Sequence, residues 1–446
     1  MTLGDAKAYL KEHNISLILA QFVDLHGVPK AKAVPVEHLE MILGDGAGFA
    51  GFALWGYGMG PDGPDLMQKG DLNTLRVIPW LPGYARIACE GYVGGKPYRY
   101  DTRAVLSRVS AEVKEEFGYR FFTGLEPEFY LLKNCPRTGQ PIPAAEGDSL
   151  EKPCYDYAAL SQVADYLQTL VGQVRSCGMD VYQIDHEDAN GQYEVNFTYD
   201  DAVTSADHYT LFKMAASTLA KERGLLVSFM PKPFADKTGN GMHMHVSLGD
   251  AECGNLFASA KDPRGLGLST LAYQFLAGVL HHAPALAAVA CPTINSYKRL
   301  YSATTDSGAT WAPIQLAYGD NNRTASVRVT GGHIEVRFPD SSANPYLLSA
   351  AILAAGMDGV RRQLDPGEPL NRDLYRIAAS EVAALGLKQL PSTLAHALAA
   401  LDHSEVLREA LGSDLIDEFL MIKRREIGQF QTCVTDWERN AYLTFY

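Results

Sequence analysis

The side chains best suited to chemistry lie in short β-prone runs. Glu126 and Glu128 interrupt the apolar stretch Phe121–Leu132 at a spacing of two. Along a strand alternate side chains face opposite ways, so the two carboxylates share one face, while Leu125, Pro127 and Phe129 share the other. A solvated amphipathic face would read the same way. Glu187 and Glu194 flank Asp188-Ala-Asn-Gly191, a turn signal between two β-prone runs. The spacing predicts a hairpin that brings the two acids together, either as a site or as exposed charge on a structural turn. In Gly239–Leu248, His243, His245 and Ser247 fall on one strand face, and in Gly332–Asp340 so do His333, Glu335 and Arg337. Were these faces to converge, the five glutamates could not all stay ionised without cations, because neighbouring carboxylates raise one another's pKa. Carboxylates with an imidazole suit Mg2+ or Mn2+, and the chain has no thiolate cluster for structural zinc. Lys298, Arg299, Arg323 and Arg328 crowd one region of the chain. Arginine forks match carboxylate and phosphate oxygens, so these point to a polyphosphate and a carboxylate substrate, with surface salt bridging as the alternative. Neither G-x-x-x-x-G-K-[ST] nor G-x-G-x-x-G opens a helix, so a nucleotide needs another scheme.

The elements that must position these groups belong to a chain of 446 residues, 47% apolar and 20% charged, with a formal charge of −13. That sign excludes a general binder of nucleic-acid backbone and disfavours anionic membranes. The N-terminal residues read as a charged amphipathic helix, not as a secretory leader. The longest apolar region, Leu271–Ala290, is broken by His281, His282 and Pro284 and predicts no membrane span. Seven widely spaced cysteines (Cys89, Cys135, Cys154, Cys177, Cys253, Cys291 and Cys433) without a C-x-x-C pair point to a reduced cytoplasmic protein. Up to residue 100 the sequence reads as a small sheet-rich domain with strands at Leu17–Val23 and Ala31–Pro35. From Asp101 strand alternates with helix, and helical spacing covers 103–117, 156–177, 206–223, 269–290 and 345–362.

Taken in order, Gly124–Phe129, His186-Glu187 with Gly191–Glu194, Gly239–His245, Asn295–Leu300, Asn322–Ser326 and Ile334–Asp340 resemble the glutamine synthetase family. The resemblance spans roughly residues 101–360. It implies an α+β fold: a β-grasp N-terminal domain (residues 1–100) and a catalytic domain (residues 101–446) with a curved antiparallel β-sheet backed by helices. It implies a homo-oligomer, a dodecamer of two hexameric rings with active sites between neighbouring subunits. Carried over by motif, Glu128, Glu187 and Glu194 would hold one Mg2+ or Mn2+, and Glu126, His243 and Glu335 another. Arg299 and Arg337, with the backbone at Gly239, would bind glutamate, Arg323 and Arg328 would face the ATP phosphates, and His245 with Ser247 would line the nucleotide side. The implied reaction passes through γ-glutamyl phosphate, which an amine then attacks, with Arg299 and Arg323 in the catalytic set.

Two segments depart from the family pattern. Where the family carries an Asp-Gly-Ser-Ser stretch that helps bind ammonium, this chain has Gly48–Gly56, without an acid. The flap after Leu300 is longer, Tyr301–Pro313, and puts Trp311 where a glutamate would align. Aromatic faces in place of carboxylates favour an alkylammonium over ammonium, at about 0.5–2 kcal/mol per cation–π contact. Both segments resemble the γ-glutamylmethylamide synthetase branch, which implies methylamine as the small amine. Asp306, the one acid between Leu300 and Tyr318, is then the candidate for deprotonating it. Ordinary glutamine synthesis, a γ-glutamyl-polyamine ligase and a non-catalytic structural role are the competing readings.

Overall fold

The computed structural model describes residues 1–446 except Cys253, Ala303, Thr304 and Tyr446. The seventh cysteine and two residues of the predicted flap therefore lie outside the described residues. These fold into two sheets with helices packed behind. The first sheet comprises β1 (Leu17–Val23), β2 (Pro29–Pro35), β3 (Ala47–Phe49), β4 (Leu66–Gly70), β5 (Arg76–Val77), β6 (Tyr84–Val93) and β7 (Lys96–Pro97). Its order is β2-β1-β6-β4-β3, with β5 and β7 also paired to β6. The β1·β6 contact is parallel and the others antiparallel.

The second sheet is built from β8 (Arg120–Asn134), β9 (Pro141–Pro143), β10 (Val181–His186), β11 (Gln192–Phe197), β12 (Asp200–Asp201), β13 (Leu226–Ser228), β14 (Met242–Gly249), β15 (Tyr318–Asp320), β16 (Val327–Thr330) and β17 (His333–Val336). Its main order is β10-β11-β8-β14-β17-β16-β15, antiparallel except for the parallel pair β15·β16. The long strand β8 pairs with β14 up to Pro127 and with β11 from Glu128 onward. This change of partner falls at the two acids of the Glu-Pro-Glu run.

Helices cover the back of the sheet. Thr102–Phe117 is capped by Asp101, whose side chain accepts from the Ala104 amide, and ends at Gly118, which takes the left-handed φ of 75°. The apolar region around Leu271–Ala290 is a buried helix, Thr270–Ala290, crossing Pro345–Arg361 at glycines. A Cβ on Gly278 would lie 2.2 Å from the Ala355 carbonyl oxygen, and one on Gly359 2.2 Å from that of Gln274. The long apolar run therefore serves a close helix–helix crossing. Among the described residues no helix is long and apolar enough to cross a membrane.

The helical spacing over 156–177 resolves into two helices, Tyr157–Gln162 and Ala164–Ser176, which meet at Val163. The stretch beyond residue 390, for which the sequence reading assigned no elements, is largely helical: Leu394–Asp402, Glu405–Leu411, Ser413–Gln431 and Asp436–Tyr442. One apolar cluster, running from Ala6 to Ile422, joins both sheets. Residues on either side of the expected boundary at 100 thus share a core. Buried Arg103 reinforces the join by pairing with Asp71, Glu90 and Asp207 at 2.9, 2.9 and 3.0 Å.

Candidate active site

Strand register assembles the acidic cleft. Glu194 of β11 sits opposite Glu128 of β8, and Asp185 of β10 opposite Glu194. On the other side of β8, His243 sits opposite Glu126; one step along, Arg328, Glu335 and His245 align across β16, β17 and β14. Directly opposed residues lie about 4.5–5.5 Å apart at Cβ, so each row becomes a contact. The predicted hairpin between Glu187 and Glu194 is present, with the Glu187 amide donating to the Gln192 carbonyl at 2.9 Å. Its turn is held by buried Asp148, which accepts from the Gly191 amide at 2.6 Å, Asn190 Nδ2 at 2.9 Å and His186 Nε2 at 2.9 Å.

Glu126, Glu194 and His243 bring ligand atoms within 4.8 Å of one another, and so do Glu126, His245 and Glu335. The glycine-rich entry to β14, Gly239-Asn-Gly241, approaches them closely. The Gly241 amide donates to Glu128 Oε2 at 2.7 Å, and a Cβ on Gly241 would lie 2.7 Å from Arg299 Nη2 and 3.0 Å from Glu128 Oε1. A larger residue would have to displace these side-chain ends.

The charges divide the cleft into two halves. Burial, then the charge of Glu128, pushes Glu187 up to about 8. Burial, then Glu187 and Glu126, drives Glu194 well above the usual carboxylate range. Both therefore lack a compensating cation. Glu335 is in the opposite position: burial works against its ionisation, but Arg337, His243 and His245 hold it below the usual range. Arg328 Nη1 donates to it at 2.8 Å, and Arg337 donates to its other oxygen. Burial likewise opposes Glu126, yet hydrogen bonds from His243 and His245 keep it ionised. Buried His243 Nε2 and Arg337 Nε have no hydrogen-bond partner.

The remaining predicted residues divide as well. Arg323 and Trp311 line the acidic cleft with Arg328 and Arg337. His245 and Ser247 line an adjacent cavity of about 240 Å³ with Phe122, Tyr199 and His333. Arg299 does not line the cleft: 2% exposed, it donates to the main-chain carbonyls of Phe338 at 2.8 Å and Arg337 at 3.4 Å. It lies against Gly239, whose Cβ would fall 2.9 Å from Arg299 Cγ. Its fork braces the wall behind the cleft. Asp306 is also outside the cleft lining; its half-exposed carboxylate pairs with Lys237 Nζ at 3.2 Å.

The acid next to Trp311 is instead Asp188, which the sequence reading took for a turn residue. Its Oδ2 accepts from Trp311 Nε1 at 2.8 Å, Thr238 Oγ1 at 2.8 Å and Ser307 Oγ, and Cys154 Sγ approaches Oδ1 at 3.4 Å. Trp311 is held at φ 51°, a left-handed conformation costing a tryptophan about 1–3 kcal/mol. Asp188 is the anchor that keeps it there. The acid expected beside Trp311 is Asp306; the carboxylate that reaches the indole comes instead from the hairpin turn, where Asp-x-Asn-Gly chemistry disguised it.

Comparison with known proteins agrees with this architecture. The model of the glutamine synthetase catalytic domain matches residues 99–442. The chain is 53% identical over 447 residues, all of both chains, to the glutamate–methylamine ligase of Methyloversatilis universalis. It is 40% identical over 444 residues, 99% of this chain and 100% of the relative, to a glutamine synthetase of Rhizobium leguminosarum bv. phaseoli. A solved GmaS–ADP complex superposes with a TM-score of 0.92 at 41% identity, covering 98% of this chain and 99% of that one. Ligand-free GmaS gives 0.90 at 39% identity, with the same coverage. With its curved antiparallel sheet and a match over more than three quarters of its length, the chain belongs to the glutamine synthetase family.

Proposed function

We propose that this protein is an ATP-dependent glutamate–amine ligase that joins methylamine to the γ-carboxylate of L-glutamate, releasing γ-glutamylmethylamide, ADP and phosphate. The observation that carries the choice of amine is Trp311, an indole set in the cleft wall and hydrogen-bonded to Asp188. A carboxylate beside an aromatic ring suits a small alkylammonium, whose charge meets the acid while its methyl group meets the ring. The printed name of the 53%-identical relative supports the same reading. A purely structural role leaves the uncompensated Glu187 and Glu194 without a purpose.

The residues present fit divalent cations: buried carboxylates lacking counter-charge, and an imidazole nitrogen without a partner. Glu128, Glu187 and Glu194, with Glu126 and His243, would hold Mg2+ or Mn2+, and Glu126, His245 and Glu335 form a second group of donors. When bound, such ions neutralise charge on the phosphates. The chain's own groups do the rest. Arg337, with a free Nε, and the Gly239 backbone grip glutamate while Arg299 supports them from behind. Arg323 and Arg328 face the transferring phosphoryl group, and His245 with Ser247 lines the nucleotide cavity. Asp188 and Trp311 position the amine, and Asp306 fastens the flap through Lys237, which also donates to Asn190 Oδ1 at 2.8 Å. We assign residues 1–100 and 101–446 to the two domains. Exposed Phe52 and Trp55, and exposed Trp437, Leu443 and Phe445 at the C-terminus, support a ring dodecamer that would cover them. The six described cysteines are unpaired, which fits the reducing cytoplasm.

The test is ADP release from the purified chain with glutamate, Mg2+ and a panel of amines. Methylamine is expected to give the highest kcat/KM. A wide preference for ammonia would overturn the assignment and leave ordinary glutamine synthesis.

Cation binding has a defined pH dependence. Glu187 is raised to about 8, so without metal the folded protein holds protons that the unfolded chain releases near the ordinary value of 4.5. Stability of the metal-free protein therefore falls as pH rises from that value toward 8, and a cation must displace those protons when it binds below 8. The rise in melting temperature given by a fixed Mg2+ concentration is expected to be larger at pH 8.5 than at pH 6. An equal rise at both values would remove these carboxylates from the ligand set.

A further inference from the structure

Between β9 and the helix Tyr157–Gln162, the segment 148–155 runs along the hairpin turn that carries Glu187 and Asp188. The Tyr155 amide donates to the His186 carbonyl at 2.9 Å, and Cys154 Sγ approaches Asp188 Oδ1 at 3.4 Å. Asp148 is the innermost anchor, its side chain 1% exposed. Its Oδ2 accepts from the Gly191 amide at 2.6 Å and His186 Nε2 at 2.9 Å, and its Oδ1 from Asn190 Nδ2 at 2.9 Å. Burial works against its charge, yet these donors hold its carboxyl below the usual carboxylate range. Hydrogen bonds to a charged acceptor are the strong ones, so the turn is firmly tied to this side chain. Asp148 lies outside the lining of the acidic cleft, so it acts there only through the residues that it holds.

Asn190 carries the hold across the turn. Its Nδ2 also donates to the Leu150 carbonyl at 3.1 Å, and its Oδ1 accepts from Lys237 Nζ at 2.8 Å. Both ends of the amide are committed, because a flip would set its NH2 against the ammonium group of Lys237. Lys237 in turn pairs with Asp306 of the flap at 3.2 Å. A continuous line of side-chain bonds therefore runs from Asp148 through Asn190 and Lys237 to the flap that carries Ser307 and Trp311. The three segments meet again at Asp188, whose carboxylate is bonded by Cys154, by Thr238 next to Lys237, and by Ser307 and Trp311.

We propose that Asp148 is a positioning residue for the amine end of the cleft: through Asn190 and Lys237 it fixes the orientation of Asp188 and of the flap that presents Trp311. The substrate named for that end rests on the glutamate–amine ligase reading, while the alignment itself is a property of the chain. The role is selective. His245 and Ser247 on β14 and Arg328 on β16 are reached by none of these bonds, so the nucleotide and phosphate side stands without Asp148.

The test is steady-state kinetics of the full-length Asp148→Asn enzyme. The substitution keeps the volume but removes one accepting oxygen, so an NH2 must face Asn190 or the donors of Gly191 and His186. The KM for methylamine is expected to rise about tenfold, with the KM values for glutamate and ATP within a factor of about two of wild type. Trp311 fluorescence, read without substrates and against Trp311→Phe, should shift in the same variant. Lys237→Met cuts the line at a side chain that is 21% exposed and leaves the buried carboxylate in place, which guards against misfolding of the Asp148 variant. It should move both readings in the same direction by a smaller amount. Because the two substitutions break one line, the double variant should raise the amine KM by less than the product of the single effects. A glutamate KM that rises in step with that of the amine, fully multiplicative effects, or an unshifted Trp311 spectrum overturns the proposal. If wild type prefers ammonia, the choice of amine fails, and the same KM comparison made with ammonia still decides the role of Asp148.

Discussion

Replacing Glu126 by alanine is expected to cut turnover by about three orders of magnitude, or roughly 4 kcal/mol of transition-state stabilisation, while leaving the fold intact. Glu126 is common to both groups of converging ligand atoms, Glu126–Glu194–His243 and Glu126–His245–Glu335. Its loss therefore disturbs both halves of the cleft together. The fold should survive for two reasons. Its side chain is one-fifth exposed, so truncation opens toward the cleft and not into packed core. Its charge also helps to raise Glu194, so removing it relieves repulsion in the metal-free protein. Glu335 makes the contrast. That carboxylate is fully buried between Arg328 and Arg337. Glu335→Ala would strand two cations and cost about 3–5 kcal/mol of stability, confounding activity with folding. The check is kcat across a Mg2+ titration, with melting curves with and without metal. If Glu126→Ala retains a tenth of wild-type turnover with an unshifted Mg2+ dependence, its place as a shared ligand is lost.

What the sequence could reveal follows from periodicity. Glu126 with Glu128, His243 with His245, and Glu335 with Arg337 were readable as shared faces because the strand repeat of two fixes which side a residue takes. Which strand lies beside which is a long-range fact that no local pattern encodes. The ligands were thus grouped by family motif as Glu128–Glu187–Glu194 and Glu126–His243–Glu335. The register keeps the second of these groups together, with His243 Nδ1 3.5 Å from Glu126 and 3.6 Å from Glu335, and also draws Glu194 toward Glu126 and His243, and His245 toward Glu126 and Glu335. Asp188 was hidden for a different reason. In Asp-Ala-Asn-Gly the aspartate is what turn chemistry asks for, so nothing local sets its side chain apart as a site residue. Asp306 stood out because it was the only acid of its flap, but isolation along the chain says nothing about direction, and it points to Lys237. Arg299 was legible as a functional arginine and not as a buried brace, because main-chain carbonyls as partners leave no trace in sequence.

Asp188→Asn is the second large effect, expected to lower kcat/KM for methylamine by about 100-fold, since hydrogen bonds to a charged acceptor contribute about 1.5–3 kcal/mol each and Trp311 and Thr238 both depend on it. The substitution keeps the shape but not the accepting power. An amide presents one oxygen and one NH2, so whichever way it turns, either the donors from Trp311, Thr238 and Ser307 or the thiol of Cys154 faces another donor. Trp311, held at a φ that tryptophan does not favour, should then relax out of the cleft wall. Relaxation of the indole has a signature apart from rate, a shift in Trp311 fluorescence read against Trp311→Phe. The two substitutions should also differ in kind. Trp311→Ala removes the apolar face and leaves the acid, so it should narrow the ratio of methylamine to ammonia kcat/KM. Asp188→Asn removes the charge that any ammonium needs and should depress both amines. Glutamate and ATP bind through other residues, so their KM values should stay within a factor of a few in both variants. A twofold or smaller change in Asp188→Asn with either amine would return the amine site to the flap, with Asp306→Asn the next substitution to measure. Equal losses for the two amines in Trp311→Ala would make the ring a packing residue and withdraw it from amine selection.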